Sequence, residues 1–233
     1  MSRIRLAALV FFLLLTAGVA SAVALPGPTA CLAVGAMDLH RLPDGLLTDS
    51  SSPEDQLRFS QLVHAARERI ASRFGPVESK PIFVFFSTPK GLGPFRLNSY
   101  GQSLFIGGRA CVMIGPEGRN VDVVAHEMLH GELHHRVGWL QRWLQIPVWF
   151  DEGVAMQVDY RSRYDLPVEQ IPSAASVREL TTFSKFQSGA VVSNYARAKY
   201  VVASWLARIG EKSLYQRLER MRNGQSFEEA TRN

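Results

Sequence analysis

Cysteine is nearly missing from this chain: Cys31 and Cys111 are the only two in 233 residues. The stretches "TAC" and "RAC" have neither CxxC spacing nor a companion Cys/His cluster, which argues against sulfur-bound zinc. Outside the cytosol such a pair more often forms a structural disulfide than a reactive centre, and pairing would pin the N-terminal segment to the strand carrying Cys111. Two independent buried thiols are the alternative. Blocks of Lys or Arg are missing too, as is basic-aromatic interleaving. With 26 basic and 21 acidic residues the formal charge is +5, mildly basic without a nucleic-acid signature, so no nucleic-acid partner is expected. Internal repeats and low-complexity segments are absent. What remains is 46% hydrophobic and 20% charged, enough to bury a core and the right length for one ordinary domain.

Charge is also missing between Arg5 and Asp38. Residues 1–24 read as a signal peptide or an N-terminal membrane anchor. Arg3 and Arg5 precede an apolar run, and Ala22-Val23-Ala24 supplies a small-residue cleavage site before Pro26 and Pro28. Residues 6–25 equally approach the length of a bilayer span, about 20 residues, so membrane attachment through them stays open. Either reading exports the remainder. Residues 25–50 form a weakly patterned lead-in, and 51–233 a single domain.

Within that domain, Ser52-Pro53-Glu54-Asp55 predicts a helix start, with Phe59, Leu62, Val63, Ala66, Ile70 and Phe74 at helical spacing and Gly75 closing the helix. "KPIFVFFS" (80–87) predicts a buried strand, 88–103 a long Gly/Pro-rich loop, and 104–115 one strand, or two with a bend at Gly107-Gly108. Helices are expected over 120–137, 147–159, 193–209 and 211–222, with Gly138, Gly210 and Gly224 as stops. A capping box at Ser226-x-x-Glu229 starts a last short helix. A short sheet followed by a helical half is an α+β arrangement.

Four of the six histidines fall in "AHEMLHGELHH" (125–135). On a helix, His126 and His130 share a face one turn apart, as two imidazoles need to reach one ion. Glu127 sits beside them as a candidate general base, so His126-Glu127-x-x-His130 is the H-E-x-x-H arrangement. A third ligand decides whether it binds metal. His134 continues the same line, but three residues in a row along a helix cannot converge tetrahedrally. The metzincin extension fails because Leu133 and Arg136 occupy its Gly and His slots. Glu152, in "IPVWFDEGVAMQ", can return to the first helix after a turn begun at Pro147.

His126-Glu127-x-x-His130 followed by Trp149-x-x-Glu152-Gly153-x-Ala155 resembles the gluzincin zinc metallopeptidases, in particular small peptidase MA-like proteins. The match spans about residues 118–160, with a fainter echo from Asn194 to Ala230. The resemblance implies Zn2+ held by His126, His130 and Glu152, with a peptide or protein as substrate. It implies that Glu127 moves the proton and that Tyr195 donates to the oxyanion, with Tyr200 the runner-up. It implies further that "RACVMI" (109–114) is the edge strand that pairs with extended substrate, and that the 88–103 loop roofs the groove. His134 and His135, with Arg136, then read as positive charge at the helix end.

There are departures from that family. Met156 stands where thermolysin-like members carry an aspartate that orients a histidine, leaving Asp122, Asp151 and Asp159 as substitutes. The Gly-x-Met-Glu-Asn exopeptidase motif is absent, which favours an endopeptidase. Three functions compete: an exported or membrane-anchored zinc peptidase, a catalytically silent zinc-binding envelope or assembly factor, and a protein without metal. Glu127 favours the first, since holding zinc does not require it.

Overall fold

The computed structural model describes residues 26–167 and 174–232. The signal-peptide or anchor expectation for 1–24 lies outside them. In chain order the elements are α1 (Pro26–Ala33), β1 (His40–Arg41), β2 (Leu47–Thr48), α2 (Pro53–Phe74), β3 (Ile82–Phe85), β4 (Gly101–Ile106) and β5 (Arg109–Ile114). Then come α3 (Val121–Val137), α4 (Trp139–Gln145), α5 (Val148–Ala155), α6 (Ala174–Val177), α7 (Phe183–Phe186), α8 (Val191–Ile209), α9 (Leu214–Arg222) and α10 (Phe227–Thr231). This is the expected α+β arrangement.

Helix α2 forms where its signals place it. The Ser52 side chain accepts from the Asp55 amide, Pro53 opens the first turn, and Gly75 ends the helix at φ 114°. Its buried stripe (Phe59, Val63, Ala66, Ile70, Phe74) packs on the sheet, and Phe59 stacks on Phe85 with ring centroids 4.4 Å apart.

The sheet is mixed, in the order β1-β2-β3-β5-β4. β2, β3 and β5 run parallel, while β1 and β4 pair antiparallel with their neighbours. Strand β3, and β5 from Ala110 onward, are apolar because both faces are covered. Phe83, Phe85, Val112 and Ile114 join the core beneath α2 and α3, while Val84, Cys111 and Met113 join a second core with Ala30, Cys31 and Val34. There Cys31 and Cys111 form a disulfide that ties α1 to β5 across 80 residues, as one of the two sequence readings had it.

Four expectations need correction. Residues 109–114 are not an edge: β5 lies between β3 and β4, and the edge facing α3 is β4. Strand order is set by long-range pairing, which local pattern does not encode. The 88–103 loop is shorter than expected, since residues 101–103 belong to β4 and two 3-10 turns occupy 89–91 and 93–95. The helix expected over 147–159 stops at Ala155, freeing Asp159 from the helix axis. Helix α4, between Gly138 and Pro147, was missed, because a seven-residue segment shows under two turns of periodicity. None of the described helices is long and apolar enough to cross a membrane.

Candidate metal centre

Helix α3 packs against α2, α5, α9 and the strands β4 and β5. The Asn120 side chain caps it by accepting from the Val123 amide at 3.0 Å, and all but three of its residues are buried. Helix α5 lies against it, on top of α8. The approach of α5 to α8 depends on Gly153: a Cβ there would sit 2.6 Å from both the Ala198 carbonyl oxygen and Val202 Cγ2. The residue after Glu152 thus has to be small for the α5 backbone to reach this depth.

Three buried donor atoms converge between α3 and α5. His126 Nε2 lies 3.2 Å from His130 Nε2 and 3.3 Å from Glu152 Oε2, and His130 Nε2 lies 3.5 Å from the same oxygen. A tetrahedral ion with bonds of about 2.0–2.1 Å spaces its ligands about 3.3–3.4 Å apart, and the observed triangle matches that edge. The group therefore has the proximity to hold a metal ion.

Each imidazole is oriented from behind. His130 Nδ1 is 2.9 Å from Asp151 Oδ1, and Asp151 pairs in turn with Arg142. His126 Nδ1 is 3.4 Å from Asp159 Oδ2, a long contact, and Asp159 is gripped by Arg161. A carboxylate facing Nδ1 keeps the ring proton there and turns the Nε2 lone pair toward the triangle. Three acceptors then face one another: two imidazole lone pairs and Glu152 Oε2, a buried oxygen with no hydrogen-bond partner among the described residues. A cation at the centre satisfies all three at once. This donor set, two nitrogens and one carboxylate, suits a divalent transition metal of the zinc type.

The electrostatics agree. Burial opposes charge on His126, yet Asp159 and Glu152 outweigh it and hold the pKa up at about 8. Burial likewise opposes charge on His130, where Asp151 and Glu152 hold it well above the ordinary histidine range. Burial would push Glu152 up, but His130 and His126 hold it well below the usual carboxylate range. The triangle is a place where positive charge is stabilised.

Of the three aspartates proposed as orienting groups, Asp151 and Asp159 take that role. Asp122 does not: it pairs with Arg69 at 2.5 Å and accepts from the Tyr160 amide. Asp159 reaches His126 because the chain has already left α5.

Glu127 is buried and points into a cleft of about 840 Å³ that also contains the triad. Ser103 Oγ, on the edge strand β4, is 2.8 Å from Glu127 Oε2 and 2.7 Å from the Glu127 backbone oxygen. The carboxylate fits because Gly101 stands opposite: a Cβ there would come within 2.9 Å of Glu127 Cγ. Tyr195, in the first turns of α8, lines the same cleft, with its ring 6.2 Å from that of His126. The Gln187 amide donates to its phenol oxygen at 3.4 Å, leaving the phenol proton for another acceptor. Burial and the nearby Glu152 charge push the Tyr195 pKa far up, so the group stays a donor. Tyr200 is half exposed and does not line the cleft.

His134 departs from the reading of charge at a helix end. It is 5% exposed, stacks on Phe105 at 4.5 Å, and donates from Nε2 to the Gly107 carbonyl at 2.9 Å. Burial and the Arg142 charge lower its pKa to about 4, despite the opposing pull of that carbonyl. It is a neutral strut between α3 and the β4–β5 turn, and only His135 remains at the surface.

Sequence reasoning missed Ser103, Arg142 and Arg161. None belongs to a recognisable motif, because each acts from a different element brought in by the fold: strand β4, helix α4 and the segment after α5. Compared with known protein families, with curated proteins and with solved structures, the chain shows no match.

Proposed function

We propose that this chain is a zinc-dependent peptidase of the gluzincin type, working outside the cytoplasm as an exported or membrane-anchored protein. The observation that carries the proposal is Glu127. A protein that only held a metal would need the triad and nothing more, yet a buried carboxylate faces the same cleft and is positioned by a serine from the edge strand. The Cys31–Cys111 disulfide supports an oxidising compartment.

Zinc on His126, His130 and Glu152 would supply Lewis acidity toward a water molecule and a peptide carbonyl. Glu127 takes a proton from the water and delivers it to the departing amide nitrogen. The Ser103 hydroxyl holds the Glu127 carboxylate toward the cleft during both transfers. Tyr195 donates its phenol proton in a hydrogen bond to the oxygen that gains charge. The exposed edge of β4 offers backbone groups to an extended peptide, the part first assigned to 109–114. Asp151 and Asp159 keep the two imidazoles in their ligating tautomer.

The test is Glu127→Gln. Zinc content should stay at the wild-type level, while hydrolysis of a mixed peptide library falls by about 10²–10⁴-fold, the usual worth of a general base. Undiminished hydrolysis in the variant would refute the assignment. So would a zinc-loaded wild type that leaves the whole library intact.

A further inference from the structure

Four arginines line the cleft: Arg96, Arg142, Arg161 and Arg163. Two are accounted for, since Arg142 pairs with Asp151 and Arg161 with Asp159. A divalent ion together with these two arginines balances the four carboxylates of the centre, Glu127, Asp151, Glu152 and Asp159. Arg96 and Arg163 are surplus. Both are exposed, and among the described residues neither has a carboxylate within ion-pair distance.

Arg163 is held in place by its side chain and Arg96 by its backbone. Arg163 donates to the Tyr164 hydroxyl at 2.7 Å, and its guanidinium lies 4.7 Å from the Tyr164 ring centroid and 5.3 Å from that of Tyr100. Two aromatic faces hold the planar fork, while most of its N–H groups are left for a ligand. Arg96 comes from the turn before β4, at φ 52°, ψ 37°. It is the only non-glycine with positive φ among the described residues, a conformation disfavoured for any residue with a Cβ. Asn98 locks that turn, donating to the Gly101 carbonyl at 2.8 Å and accepting from the Tyr100 and Gly101 amides. Arg96, in the turn before β4, and Arg163, against Tyr100, thus both line the cleft beside the start of β4. At the other end of the strand, Arg142 lies over the Phe105 ring at 4.1 Å and Trp143 forms the wall. The end of the cleft where β4 begins carries the two arginines without a carboxylate partner, while Arg142 at the other end is already paired with Asp151.

We infer that Arg96 and Arg163 bind a carboxylate of the substrate, so that the enzyme selects peptides with an acidic residue on one side of the scissile bond. This rests on the peptidase reading above and adds a substrate class to it. Guanidinium forks match carboxylates in geometry as well as charge. An acidic side chain and a free C-terminus share that chemistry, and the experiment separates them.

The probe is a set of short fluorescent peptides of one sequence, with Glu placed at each position in turn, Gln in its place, and a free or amidated C-terminus. Binding to full-length, zinc-loaded Glu127→Gln protein is read by anisotropy, so no turnover is needed. The best Glu peptide should bind about tenfold more tightly than its Gln partner at low salt, with the advantage shrinking as salt rises. The ratio should fall toward one when Arg96→Gln and Arg163→Gln are added together, with zinc content retained as the check on folding. A preference lost on amidation, and not on Glu-to-Gln exchange, would assign the same arginines to a terminal carboxylate. Equal binding of all peptides, no binding of any, or a preference that survives loss of both arginines overturns the inference. Failure of the peptidase reading looks different: wild type would bind the acidic peptides and leave them uncut.

Discussion

Replacing Asp151 with asparagine keeps the shape of the group behind His130 and removes its charge. In the native arrangement Asp151 Oδ1 lies 2.9 Å from His130 Nδ1 while its other oxygen pairs with Arg142. The asparagine oxygen can still accept from Nδ1, but the imidazole loses the negative charge that makes it a stronger ligand. Arg142 also keeps its own charge with no partner. Loss of such an orienting carboxylate typically weakens a metal site by about 10–100-fold, or about 1.4–2.7 kcal/mol. Asp159→Asn should cost less, because its contact to His126 is longer, at 3.4 Å. Asp122→Asn should leave affinity within about twofold, since that residue touches neither histidine. The assay is zinc competition against a chromophoric chelator on full-length variants, with far-UV circular dichroism confirming the fold. The structure thus predicts an order, Asp151 above Asp159 above Asp122. Wild-type affinity in Asp151→Asn, or a larger loss in Asp122→Asn, would refute this reading of the two relays.

Tyr195→Phe should retain zinc and lower kcat by about 10²–10³-fold, the worth of one oxyanion donor; full activity would remove the tyrosine from the mechanism. His134 has its folded pKa lowered from 6.5 to about 4, so across that window the unfolded chain holds a proton that the folded ring refuses. The folded state therefore loses stability as pH falls from about 6.5 toward about 4, and this group has no effect above that range. Since some solvent reaches the ring, about 1–2 kcal/mol is at stake. The slope of Tm against pH there should flatten in His134→Gln, and an unchanged slope would contradict a buried neutral ring. Gly153→Ala places a methyl group 2.6 Å from the Ala198 carbonyl oxygen and should cost about 1–3 kcal/mol in chemical denaturation, with weaker zinc binding as Glu152 is displaced. A variant as stable as wild type would mean that α5 and α8 do not need this close approach.

What was legible in the sequence is what local pattern encodes. Helix α2 shows its cap, its proline, its stripe and its terminal glycine, and all four are found in place. The His126/His130 pair follows from helical period alone. Glu152 needed a second motif, and the fold brings it within 3.5 Å of both rings. The α+β class followed from the order of strand-like and helix-like runs. Strand order did not, because pairing β5 between β3 and β4 is a decision made across the sheet. Ser103, Arg142 and Arg161 carry no signal either, since a lone serine or arginine looks like surface until the fold sets it beside a carboxylate. His134 was misread for a related reason: its helix-end position is visible in the sequence, while the Phe105 ring and the Gly107 carbonyl that enclose it are not.

The central claim is that His126, His130 and Glu152 together hold one metal ion. The measurement that tests it most directly is zinc stoichiometry and affinity of the full-length chain, with Glu152→Ala and His134→Ala beside the wild type. The account predicts one zinc per chain in wild type and in His134→Ala, with affinity reduced by about 100-fold or more when the carboxylate ligand is removed. A folded wild type that takes up no zinc under metal-replete conditions would contradict it, as would a Glu152→Ala protein that binds zinc as tightly as wild type.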